Sequence, residues 1–152
     1  MIKEKVPDAK AYIVGSSPTQ EVQRLANKDI IVTGYVDDTR PYIGKSAVCV
    51  VPLRVAQGIQ NKILEAMAMG TPVVTTPFGF KGVEGAENGK DIVVADDKNK
   101  FAEKVVEILQ NKTLRAQLSQ NGKQLIEQRY NWKGSADKLN GIIECLIKEQ
   151  NE

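Results

Sequence analysis

One carboxylate, Glu65, follows a run of amides, a glycine and two cations: Arg54, Gln57, Gly58, Ile59, Gln60, Asn61 and Lys62. This set contains no nucleophile paired with a base. It points to binding of an extended anionic ligand. A helix opening near Gly58, Gln60 and Asn61 would present unpaired backbone amides and a positive end, which favour an anion such as phosphate. Glu65 is the one acid in that helix. It lies about two turns from the helix start by the usual rise per residue, within reach of a ligand lying along the loop. Arg54 reads as a phosphate partner or a rim charge, and Gln57 and Lys62 as site residues or ordinary surface. Met67 and Met69 read as packing.

The elements that must hold these residues are legible on either side. Residues 48–51 form a short apolar run suited to a parallel strand covered on both faces. Ile63, Leu64, Ala66, Met67 and Ala68 favour a helix, Gly70 sits where a left-handed C-cap belongs, and Pro72 forbids continuation. Val73 and Val74 resume a strand. In an open parallel sheet ligands lie beyond the carboxyl ends of the strands, so the loop over residues 53–61 should line a cleft.

The rest of the chain alternates in the same manner. Residues 11–14 predict a strand ending on Gly15, where the backbone passes close to a ligand or simply turns. Residues 19–27 predict a helix with Thr19 as N-cap and Val22 and Leu25 facing inward. A strand over residues 30–33 leads to Gly34, Tyr35, Val36, Asp37 and Asp38, the last two equally suited to starting a helical turn. A short helix from Pro41 follows. Residues 77–85 read as a long glycine-rich loop, a flexible connection, and residues 89–95 as the final strand. Asp96 and Asp97 mark a turn or N-cap. Phe101, Val105, Ile108, Leu114, Leu118 and Leu125 recur at helical spacing. Trp132 reads as a core anchor before a last amphipathic helix. Together these elements give a doubly wound α/β domain with a mostly parallel sheet.

Composition removes several classes. The 152 residues suit a single domain, and a net charge of +2 with no basic stripe argues against nucleic acid. No apolar run approaches the ~20 residues of a membrane span, and the charged opening with Pro7 is unlike a signal peptide. Histidine is absent, which removes the usual triad and imidazole-metal chemistries. No metal or cofactor is expected. Cys49 and Cys145 have neither metal nor redox spacing and read as buried thiols in a reducing cytosol. A Gly-x-Gly-x-x-Gly fingerprint is missing after every strand, which counts against a nicotinamide enzyme.

The stretch over residues 50–76 resembles the donor-site signature of the family 4 retaining glycosyltransferases of the GT-B fold. In that family two glutamates flank a Gly-aromatic-Gly loop ahead of Ala-Met-Ala, Gly and Pro-Val-Val. Glu65, Ala66, Met67, Ala68, Gly70, Pro72, Val73 and Val74 match the second part. Gln57 stands where the first glutamate is expected, and of the loop only Gly58 matches. The form Gly58-Ile59-Gln60-Asn61-Lys62 is closer to bacterial polysaccharide glycosyltransferases. The resemblance implies that Glu65 holds the ribose hydroxyls of a nucleotide-sugar and that Gln57 faces the transferred sugar without bringing charge to it. It places Gly15 at the cleft wall and Tyr35 or the Val36 backbone against the base, and it implies that the loop over residues 77–85 closes over the sugar-phosphate.

This resemblance covers nearly the whole chain, but only the Rossmann-like C-terminal half of a two-domain enzyme, residues 1–152 being a single donor-binding domain. It implies further that the half lacks its first strand, since nothing before Ala11 matches the family's opening strand and glycine-rich turn. That strand would lie between residues 11–14 and 48–51. Its omission predicts an unusual sheet or pairing between chains. The function implied is sugar transfer with retention from a UDP- or GDP-type donor to a glycan or lipid-linked acceptor, the leaving phosphate itself taking the acceptor proton. The chain alone should not turn over. A cytoplasmic location is expected, extending for the full-length protein to the inner face of the membrane through peripheral contact by the missing half. Two alternatives stand beside it: a sugar-nucleotide epimerase, for which further acids and histidines are lacking, and a non-catalytic nucleotide-sugar-binding or scaffolding module, which Gln57 favours.

Overall fold

The computed structural model describes residues 1–149. Its helices and strands alternate as expected: α1 (Ile2–Lys5), β1 (Ala11–Val14), α2 (Gln20–Gln23), β2 (Ile30–Gly34), α3 (Arg40–Lys45), β3 (Cys49–Val51), α4 (Asn61–Ala68), β4 (Val73–Thr75), α5 (Pro77–Phe80), β5 (Val93–Val94), α6 (Lys98–Gln110), α7 (Lys112–Arg129) and α8 (Trp132–Glu149). All strand pairs are parallel. The chain is therefore an α/β protein of the doubly wound kind.

Its sheet is broken in two. β1 pairs only with β2, while β3, β4 and β5 form a second sheet in that order. No described strand pairs with the remaining edge of β1 or with the open edge of β3. The break falls between β1 and β3, the unusual sheet that the sequence predicts there. Helical links hold the two parts together instead. Lys3 of α1 pairs with Asp29 at 3.0 Å, the Lys5 carbonyl accepts from Gln110 of α6 at 3.0 Å, and the rings of Tyr12 and Tyr42 lie 6.0 Å apart.

The three-stranded sheet carries the core. Successive side chains of a strand point to opposite faces. Accordingly Val51 and Val73 pack with Ile63, Ala66, Met67, Ile92 and Leu125, whereas Val74 and Val93 pack with Val105, Ile108 and Leu118. Helices α4 and α6 thus cover opposite faces, and burial of each large aliphatic side chain contributes about 1.5–3 kcal/mol before opposing terms.

Several expectations need correction. The helix expected over residues 19–27 stops after Gln23, and Leu25 is exposed. Thr19 does cap its start, but the Asn27 side chain accepts from the Asp29 and Ile30 amides and turns the chain early. The final strand is reduced to Val93–Val94, because Gly89 is left-handed (φ 84°) and Asn88 Oδ1 takes the Val94 amide at 2.8 Å. The glycine-rich segment is no open loop: it begins as α5, and Val83 is buried in the core. Trp132 is 92 % exposed, so it anchors nothing in the core. Neither cysteine is fully buried, Cys49 being half-buried and Cys145 exposed. No described helix is long and apolar enough to cross a membrane.

Candidate functional site

Helix α4 gains its position from both ends. At its finish Gly70 adopts φ 72°, and the Thr71 amide returns to the Ala66 carbonyl at 2.8 Å, closing the helix as the sequence predicts. The Thr71 hydroxyl then donates to the Ile43 carbonyl at 2.9 Å, fastening α3 alongside. At its start Gln60 is the N-cap residue, without a side-chain cap bond, so the first amides of α4 are left open to a ligand or water.

The loop ahead of α4 is held from behind. Thr75 Oγ1 donates to the Val51 carbonyl at 3.0 Å, and the Thr76 hydroxyl to that of Leu53. Gly82 presses so closely that an added Cβ would stand 2.4 Å from the Gly58 oxygen. Gln60 Nε2 closes the turn onto the Gln57 carbonyl at 3.2 Å. Arg54, Gln57, Gly58, Ile59, Asn61 and Lys62 remain exposed, and Gln60 is half-buried.

Glu65, one turn into α4, lines a cleft of about 460 Å3 together with Asp37, Asp38, Thr39, Arg40 and Met69. The opposite wall is the loop that follows β2, at the carboxyl end of its strand. Asp38 shapes that wall: its Oδ1 accepts from both the backbone N and the Nε of Arg40 at 2.9 Å. The hydrogen bond from the Arg40 side chain, helped by that from its backbone, holds the Asp38 carboxyl below its ordinary value and raises the guanidinium in turn. Burial pushes the Cys49 thiol up, the Lys62 charge opposing it.

The predicted residues fall into three groups. Glu65, itself exposed, is the one predicted residue that lines the cleft; Arg54 and residues 57–62 lie ahead of it, before and at the start of α4, and do not line it. Gly15, Tyr35 and Val36 lie on the β1–β2 side, where the Gly15 amide donates to the Gly34 carbonyl at 3.3 Å, and they do not line the cleft itself. Sequence reasoning missed Thr39 and Arg40. The available signal was Asp38-x-Arg40 at the opening of a helix, a spacing that lets one carboxylate cap the backbone and grip the guanidinium. Among the described residues no group of three acidic or thiol side chains is arranged to hold a metal.

Comparison with known proteins bears on the family and the fold. The glycosyl transferases group 1 family matches residues 1–111. The capsular polysaccharide biosynthesis glycosyltransferase CapM of Staphylococcus aureus is 23% identical, 98% of this chain aligning with 41% of the relative. The C-terminal domain of the Francisella tularensis group 1 family protein LpcC superimposes with a TM-score of 0.72 at 22% identity, covering 86% of this chain and 74% of that one. Anabaena Alr3699/HepE, solved in complex with UDP, gives 0.79 at 15% identity, over 95% of this chain and 44% of that one. The chain thus spans about two fifths or less of the length of the curated relatives it matches.

Proposed function

Because the chain belongs to the group 1 glycosyl transferases, we propose that it is the donor-binding domain of a longer enzyme, residues 1–152 forming one such domain. That enzyme transfers a sugar from a nucleotide-sugar to a glycan or lipid-linked acceptor, with retention at the anomeric carbon. The observation that carries the reading is the position of Glu65 on a cleft between α4 and the loop at the carboxyl end of β2, one turn from the open amides of α4.

In this reading the Glu65 carboxylate accepts from two ribose hydroxyls, a geometry its paired oxygens suit. The amides at the start of α4, with Arg54 and Lys62, meet the diphosphate. Gln57 hydrogen-bonds the donor sugar. Gly15, Tyr35 and Val36 flank the base. Nothing here requires a histidine: with the leaving phosphate as proton acceptor, the protein supplies position and charge. That a solved neighbour holds UDP supports a nucleotide donor.

Calorimetric titration of the full-length protein with UDP, GDP and their sugars tests this. Glu65→Ala is expected to weaken binding at least about tenfold, the loss of a charge-assisted pair of hydrogen bonds. Equal binding by the variant and the parent removes the donor-site reading. A second reading, a binding module without catalysis, is favoured by Gln57 in place of an acid; binding with no turnover in the full-length protein selects it.

A further inference from the structure

The opposite rim of the sheet, where the strands begin, holds a second hollow of about 330 Å3. It lies between the end of α3, the turn after α4 and the first half of α7. Lys45, Ser46, Lys112, Arg115 and Ser119 supply its polar lining, and no acidic residue joins them. None of the three cations has a carboxylate within 4.0 Å among the described residues.

Two of these charges are placed against local preference. Lys112 and Arg115 occupy the opening of α7, whose first turn carries no acid, although a helix N-terminus is already positive. Arg115 has a structural reason: its Nη1 donates to the Ile108 and Leu109 carbonyls, both at 3.0 Å, closing the end of α6. That leaves its other guanidinium nitrogens with no protein acceptor among the described residues. Lys112 has no such partner, nor has Lys45, which approaches from α3. Ser119 sits beside Gly70, its Oγ 3.0 Å from where a Cβ on that glycine would stand. Three like charges sharing one concavity repel one another unless an anion comes between them.

We propose that this hollow binds a phosphate-type oxyanion, with Lys45, Lys112 and Arg115 as charge partners and Ser119 as hydroxyl donor. The hollow shares no lining residue with the cleft at Glu65. Tetrahedral oxyanions suit it better than a carboxylate, because the donors converge from two helices rather than in one plane. The same chemistry is offered by free phosphate esters and by the headgroup of an anionic lipid.

Titration of the ¹⁵N-labelled protein with inorganic phosphate, against chloride at matched ionic strength, decides the matter through amide shifts. Saturable shifts are expected at Ser46, Lys112, Arg115 and Ser119. The Lys45→Ala/Lys112→Ala double variant should bind about tenfold more weakly or worse, while any shifts around Gly58 and Lys62 persist. Both lysines are exposed, so the variant keeps its fold; a Lys45→Arg/Lys112→Arg protein, which should retain binding, checks that charge is the cause. No saturable shift in the parent, or equal shifts in the alanine variant, overturns the proposal. Sedimentation with phosphatidylcholine vesicles, with and without phosphatidylglycerol, then identifies the source. Loss of phosphatidylglycerol-dependent sedimentation in the alanine variant assigns a lipid headgroup, and its absence in the parent assigns a free phosphate ester.

Discussion

The β1–β2 pair and the β3–β4–β5 sheet are made of similar residues but differ in burial. Ile30, Ile31 and Val32 are as β-branched and apolar as Val73 and Val74, yet the former are half-buried and the latter fully buried. No residue before Val51 is buried to that degree. The difference is cover. Helices α4, α6 and α7 close over the three-stranded sheet, whereas α2 is a single turn and no described strand lies beside the remaining edge of β1. Strand propensity is common to both regions, so burial, and with it most of the stability, comes from what packs on the strands.

That contrast can be broken first by core truncation. Ile63→Ala, at a side chain with 0% exposure, is expected to cost about 2–5 kcal/mol. Val32→Ala in β2 should cost under about 1.5 kcal/mol. Urea unfolding of both variants measures the gap, and equal losses would show the two-stranded pair to be as well supported as the larger sheet. Hydrogen exchange sharpens the comparison: amides of β1 and β2 should exchange at least about a hundredfold faster than those of β4, because they open locally. Protection of β1 matching that of β4 would instead mean its free edge is paired, as by a second copy.

The smallest effect concerns the caps. Asp97 Oδ1 accepts from the Asn99 and Lys100 amides at 2.8 and 3.1 Å, while Thr19 accepts more distantly, at 3.4 Å, from Val22. The backbone bond from Lys100, then that from Asn99, holds the Asp97 carboxyl below its ordinary 3.8. Its contribution is therefore complete above about pH 3.8 and is lost as the pH falls through the lower folded value. Asp97→Ala should lower the Tm at pH 7 more than Thr19→Ala does, and its deficit should shrink toward pH 3. A deficit unchanged with pH would mean that the carboxylate's charge plays no part.

Much of the fold was legible because its signals are local. The Gly70 stop followed by Pro72, the N-caps at Thr19 and Asp97, and the β-branched runs each appear where expected. The expected gap in the sheet also appears, as two separately paired sheets. Short-range competition defeated the rest. Asn27 closes a turn onto the Asp29 and Ile30 amides and Asn88 reaches the Val94 amide from the preceding turn, side-chain choices that residue-type averages cannot reveal. Trp132 shows the limit of hydrophobicity as a guide to burial, since an aromatic is buried only if another surface meets it. At the candidate cleft, Glu65 could be named from spacing, but the Asp38–Arg40 wall could not, because it comes from a different crossover.

The sequence by itself determined the alternation of elements, the start and end of α4, and the kinship that the motif over residues 50–76 announces, because propensity, capping and motif spacing act within a few residues of the chain. Only the tertiary structure decided that α3 lies against α4 to make a cleft, that three cations from two helices share one hollow, and that the strands divide into two sheets. Those outcomes depend on groups far apart in sequence competing for the same space and the same hydrogen bonds, and no local pattern records who wins.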